Sequence, residues 1–189
     1  MTILLVRHGE TEWNRARRYQ GWSDSPLTDI GVAQAKALGC RLAALPEAAS
    51  AEIVASPLGR ARHTAEIIAH CLGRAAAPCC DDRLREISLG AWDGLARKEV
   101  RARLGAQFVE WEWYFATPAG ETYEMFAARL ADWLRGVGGR PVIAVAHGVA
   151  MRVLRGLYAG LPRAEALRLA VPQDRIFRLT DGTIEEIAA

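Results

Sequence analysis

The sequence predicts an α/β fold, a three-layer sandwich with a mostly parallel central sheet and helices on both faces. Three observations predict it. Short β-branched, apolar runs alternate with longer stretches of helical spacing. One of these runs, Pro141 to Ala146 (PVIAVA), is apolar throughout, as a strand covered on both faces would be. The chain of 189 residues, 51% of them apolar, can bury one full core and is short for two. The expected organisation is a single domain over 1–189, with a small cap or insertion at about 95–120, where the alternation breaks.

Thr2 to Val6 (TILLV) reads as a buried strand. Leu27 to Leu45 has helical spacing at Ala33, Ala37, Leu38 and Leu42, with Thr28 placed to cap it and Pro46 beyond its end. Glu52 to Ala55 is a short strand. Pro57 suits a first helical position, and that helix is expected to reach Cys71, with Gly73 just past it. Ala76 to Cys80 reads as a strand, and Leu95–Leu104 and Phe108–Phe115 as helical. Glu121 to Val137 places Phe126, Leu130, Trp133 and Leu134 on one helical face. After the 141–146 strand, helices are expected over Val149–Leu157 and Ala164–Leu169. Arg175–Thr180 and Thr183–Ile187 flank Asp181-Gly182 as a closing hairpin.

A formal charge of +2 gives no field of the kind that draws nucleic acid or a membrane surface. Arginine carries nearly all the positive charge, since Lys36 and Lys98 are the only lysines. This suits an anionic ligand and equally suits a GC-rich coding bias. The cysteines Cys40, Cys71, Cys79 and Cys80 match no zinc spacing and form a poor disulfide framework. No apolar run is long enough to span a bilayer, and the expectation is that no leader precedes the first strand. A cytoplasmic monomer or homodimer is the expectation.

Three of the strands end in polar residues. Arg7-His8-Gly9 follows the first, Ser56-Pro57-Leu58-Gly59-Arg60 the second, and His147-Gly148 the run ending at Ala146. Ligands of open α/β sheets bind beyond the carboxyl ends of the strands. Parallel neighbours would therefore gather two histidines and two arginines in one pocket. Helices starting after Pro57 and Gly148 would aim amide donors at an anion. Placement alone says only that this is an anion site.

Phosphoryl transfer suits these groups. Arginine forks fit the phosphoryl oxygens. A neutral imidazole is a competent nucleophile, and the phosphorus–nitrogen bond it forms can be opened by water. Arg7 and Arg60 would disfavour protonated His8, and a backbone carbonyl at its other nitrogen would fix the tautomer. Glu86 is the candidate proton donor to the leaving alkoxide. It must carry a proton to act so, through burial or a neighbouring dianionic phosphate.

With these residues in view, the sequence resembles the histidine phosphatase (phosphoglycerate mutase-like) superfamily. Leu5-Val6-Arg7-His8-Gly9-Glu10-Thr11-Glu12-Trp13-Asn14 is similar to its opening signature. Gln20 to Thr28, Gly31 and Gln34-Ala35 continue the likeness. Ser56 to Ala61 with Thr64-Ala65, Glu86 with Gly90, Trp92 and Gly94, Gly120-Glu121-Thr122, and Val145-Ala146-His147-Gly148 follow in family order. The resemblance implies that His8 is phosphorylated and Glu86 donates the proton. It implies that Arg7, Arg60 and His147 hold the phosphoryl group, helped by Asn14 and the Gly148 backbone. Gln20 and Gly21 would line the substrate side, and no metal or other cofactor is expected.

Within that family the short middle segment, with its acidic and aromatic run Val109 to Phe115, lacks the long basic insertion of the mutases. Hydrolysis of a small phosphorylated metabolite is therefore the expectation, by analogy with small broad-specificity and α-ribazole phosphatases. A phosphoglycerate mutase and a regulatory phosphate binder are the alternatives. A metallohydrolase is disfavoured, because two arginines would repel a divalent cation. His63, His70 and Arg62 read as surface or packing residues. Trp111, Trp113 and Phe115 could form a substrate-facing wall or core.

Overall fold

A computed structural model describes all residues 1–189. Six strands form one mixed sheet: β1 Thr2–Arg7, β2 Glu52–Ala55, β3 Cys79–Cys80, β4 Val142–Ala146, β5 Arg175–Thr180 and β6 Thr183–Ala188. Their order is β3-β2-β4-β1-β5-β6. The first four of that order are parallel neighbours, and the last two pair antiparallel. The helices are α1 Glu12–Arg15, α2 Asp29–Ala43, α3 Gly59–Cys71, α4 Arg97–Leu104, α5 Tyr123–Gly136, α6 Gly148–Ala159 and α7 Arg163–Ala166. None is long and apolar enough to cross a membrane.

The sheet has apolar side chains on both faces, so each face has its own core. Leu4, Val6, Ile143 and Val145 pack with Leu38 and Leu42 of α2 and Ala61, Ala65 and Ile68 of α3. Ile3, Leu5, Ala144 and Ala146 pack the other way, against Phe126, Leu130 and Trp133 of α5 and Met151 and Leu154 of α6. All five residues of β4 are buried, which explains why its sequence is apolar without alternation. The stretch expected as a cap is part of the second core, to which it gives Val100, Trp113 and Tyr114.

Local chemistry sets several boundaries. Thr28 and Thr122 cap α2 and α5, accepting the Gly31 and Met125 N–H groups at 3.0 and 3.2 Å. Asp181 and Gly182 both take positive φ, 48° and 77°, as a two-residue hairpin turn requires.

Three expectations need correction. Helix α3 begins at Gly59 with Leu58 as its cap, two residues after Pro57. Asp24, from a distant loop, accepts the Arg60 N–H at 3.3 Å and so serves the first turn. The strand at 76–80 shrinks to Cys79–Cys80, and Pro78, just before it, has no N–H to extend the ladder towards Ala76. Phe108–Phe115 is not a helix. It contains a single 3₁₀ turn, Trp113–Phe115, and Trp111 sits at φ 71°. There the aromatic rings stack on one another and on Tyr19, and that packing overrides helical periodicity.

Candidate active site

Parallel pairing aligns the carboxyl ends of three strands. Arg7 lies opposite Ala146, and Ala55 opposite Val145. His8, Ser56 and His147 therefore emerge at one edge of the sheet. A cavity of about 740 Å³ opens there, and Arg7, His8, Asn14, Gln20, Gly21, Arg60, Glu86 and Gly148 line it. His147 does not: it is fully buried beneath, its ring 5.2 Å from that of His8.

The His8 ring meets the carbonyl oxygen of Gly9 through Nδ1 at 2.8 Å. A carbonyl can only accept, so Nδ1 carries the proton and Nε2 has the lone pair. Burial, then the charges of Arg60 and Arg7, hold the imidazole well below its usual 6.5. The close approach that builds this turn depends on Gly9, where a Cβ would sit 2.2 Å from the Gly31 carbonyl oxygen.

The two arginines differ in their attachments. Arg7 donates one bond, from Nη1 to the Val171 carbonyl at 2.8 Å. Arg60 is tied to the 21–24 loop through the carbonyls of Gly21 and Ser23, both at 2.8 Å, and the Asp24 carboxylate at 3.1 Å. The Nε atoms of both, and both ring nitrogens of His147, are buried and meet no protein partner. Burial, partly offset by Glu86, brings the Arg7 pKa down to about 10, so it remains a cation at neutral pH.

Glu86 sits at the start of α6. Its two oxygens accept the N–H groups of Val149 and Ala150, each at 3.0 Å, and that of Ile87 at 3.0 Å. This corrects an expectation from the sequence. The amides at the starts of α3 and α6 were expected to face a bound anion, and carboxylates of the protein, Asp24 and Glu86, engage them instead. What remains for an external anion is the Gly148 N–H, which lines the cavity without a protein partner, and the arginine nitrogens.

The model for the histidine phosphatase superfamily (branch 1) matches residues 3–182. The chain belongs to that superfamily. A protein of Photorhabdus laumondii named "probable phosphoglycerate mutase GpmB" is 37% identical over 179 residues, which cover 89% of this chain and 80% of that one. Bacillus stearothermophilus YhfR has a similar structure, with TM-score 0.82, 33% identity, and coverage of 99% and 95%. The mycobacterial glucosyl-3-phosphoglycerate phosphatase matches with TM-score 0.79, 29% identity, and coverage of 99% and 96%.

The site of this superfamily member also uses residues that the sequence did not single out. Asp93 accepts the N–H groups of Trp22, Ser23 and Leu89. It also fills the space a Gly21 side chain would need, since a Cβ there would lie 1.8 Å from Asp93 Oδ1. Gln173 donates to the His8 carbonyl at 3.0 Å. The Asn14 amide oxygen accepts the Thr11 N–H at 3.2 Å within a capping box, so that half of Asn14 shapes the loop.

Arg129 of α5 is the main support of the Glu86 loop. It donates to the carbonyls of Arg83, Arg85 and Glu86 and pairs with Glu121, whose carboxylate also accepts the Ser88 N–H. Both members of the pair are largely buried. Arg129→Met is expected to lower stability by about 3 kcal/mol, because it strands the Glu121 charge. It should also reduce kcat/KM at temperatures where the fold persists. Urea melts paired with kinetics check this, and unchanged turnover in a folded variant would deny the loop its positioning role.

A pH dependence follows from the two histidines. Burial, then Arg60, His8 and Arg7, also hold His147 well below 6.5. The folded state refuses protons that the unfolded chain binds, so stability should fall as pH drops below about 6.5. The slope is about 1.4 kcal/mol per pH unit for each histidine. Denaturant titrations from pH 7.5 to 5 measure it, and His147→Gln should remove one histidine's share. A slope unchanged by that substitution would place the proton uptake elsewhere.

The aromatic run divides between the two roles left open by the sequence. Trp111, Trp113 and Tyr114 line the cavity while Trp113 and Tyr114 are also core, and Phe115 packs on Tyr123 and Phe126. The middle segment is less acidic towards the cavity than its sequence suggests, because α4 adds Arg97, Lys98 and Arg101 to the lining. His63, His70 and Arg62 are exposed on α3.

Proposed function

We propose that the chain hydrolyses a small phosphomonoester through a phosphohistidine formed on His8. The observation that carries this is the His8 ring: neutral, fixed as the Nδ1–H tautomer, and set beside the unpartnered nitrogens of Arg7, Arg60 and His147. In the first step the Nε2 lone pair attacks phosphorus, the P–O ester bond breaks, and the leaving oxygen takes a proton from Glu86. In the second, Glu86 takes a proton from water, whose oxygen attacks phosphorus. The P–N bond then breaks, releasing inorganic phosphate and free His8. Arg7 and Arg60 stabilise the charge on the three equatorial oxygens through both steps, and His147 backs the His8 ring from beneath. The chemistry asks for no metal ion.

A second reading, interconversion of phosphoglycerates, is favoured by the name of the Photorhabdus relative and by the three basic residues of α4 at the cavity. Phosphate release from an aryl phosphate, 3-phosphoglycerate and α-ribazole phosphate, with a chelator present, decides between them. Release that survives chelation supports the hydrolase. No release, with conversion of 2- to 3-phosphoglycerate, supports the mutase. Neither activity would leave a phosphate-binding regulator.

A further inference from the structure

The cavity carries more positive charge than one phosphoryl group requires. Eight basic side chains line it against two carboxylates, Glu86 and Glu110. Glu86 is already engaged by three backbone amides, and Glu110 is exposed at the rim.

Arg152 is the odd member of this set. It lies four residues after Gly148 on α6, on the same helical face. Its side chain is held flat: Cζ is 3.9 Å from the centre of the Trp111 ring, and Nε donates to the Leu169 carbonyl at 2.8 Å. Only 8% of the residue is exposed, and it forms no ion pair. Burial lowers its pKa, with Tyr114 and Glu86 opposing. A guanidinium so placed is costly unless an anion meets it. The proposed mechanism assigns Arg7 and Arg60 to the phosphoryl group at His8, so Arg152 is left for a different part of the substrate. About 740 Å³ is ample for a leaving group that extends from His8 to Trp111.

We propose that Arg152, braced by Trp111 and beside Tyr114, is a specificity residue that binds a second anionic group, such as a carboxylate, on the leaving-group side of the substrate. The cations of α4, Arg97, Lys98 and Arg101, draw such a doubly anionic ester into the cavity. The assay rests on the hydrolysis reading, but the recognition does not.

Matched pairs test it. 3-Phosphoglycerate and glycerol 3-phosphate differ only in a carboxylate against a hydroxymethyl group. 6-Phosphogluconate and sorbitol 6-phosphate differ in the same way at greater length. Wild type should favour the carboxylate member of at least one pair roughly ten- to a hundredfold in kcat/KM, the worth of a charge-assisted contact. Arg152→Gln should bring that ratio close to one, and Arg152→Lys should keep part of it. Equal losses on both members would mean that Arg152 serves the phosphoryl group or the fold, and would overturn the proposal. So would a wild type without preference in either pair, or a preference that survives in Arg152→Gln. An aryl phosphate run alongside reports on hydrolysis itself. If wild type releases phosphate from nothing, calorimetric binding of the same pairs to His8→Ala, with and without Arg152→Gln, reads the same preference without turnover.

Discussion

His8→Ala is expected to lower kcat by at least about 10⁴-fold, as loss of a covalent nucleophile does. Its fold should persist, because the imidazole's one hydrogen bond to the protein is with the neighbouring Gly9 carbonyl. The arginines would still bind phosphate, so substrate affinity should change much less than kcat. Rapid-quench experiments with a labelled substrate add the chemical signature. Wild type should trap label that is lost in acid and survives alkali, as a phosphoramidate does, and the variant should trap none. A folded variant that turns over within tenfold of wild type would end the covalent mechanism.

Glu86→Gln is expected to slow alkyl esters by roughly 10²- to 10⁴-fold, the range for losing a general acid, and aryl esters by less. An aryl oxide leaves well without a proton, whereas an alkoxide does not. The substitution also disturbs position. Glu86 receives N–H bonds on both oxygens, and a glutamine must turn its own NH₂ towards one of those donors. The aryl rate therefore measures displacement of the loop, and the alkyl-to-aryl ratio isolates proton transfer. Equal loss on both esters would assign Glu86 a purely positional role.

The parts of the fold legible in the sequence are those governed by short-range chemistry. Thr28 and Thr122 cap helices as read, Asp181-Gly182 turns the hairpin, and β4 is buried as its unbroken apolar run implies. The Phe108–Phe115 stretch has a helix-like sequence but is not a helix, because its conformation is set by rings that meet across the chain, Tyr19 on Trp113 among them. The start of α3 moved because its donor is satisfied by Asp24, 36 residues earlier in the chain. At the site, strand-end placement reached Arg7, His8, Arg60 and Gly148 at the cavity, while Glu86 and the residues named through the family resemblance, Asn14, Gln20 and Gly21, also line it. Its supports were not legible. Asp93 and Arg129 act on backbone groups of other loops, which leave no pattern of spacing. Glu121 was visible only through its place in the Gly120-Glu121-Thr122 likeness.

The site also draws on both faces of the sheet. Arg60 and Thr64, whose hydroxyl holds the Gly9 N–H at 3.1 Å, come from the α2–α3 side. Glu86, α6 and Arg152 come from the other, and His8 stands between at the end of β1. Neither core can assemble a working pocket without its counterpart. During refolding, spectroscopic signals of secondary structure would rise with whichever layer condenses first, while enzymatic competence would wait for the slower one. Regained activity is thus a clock for the docking of the two layers across the sheet.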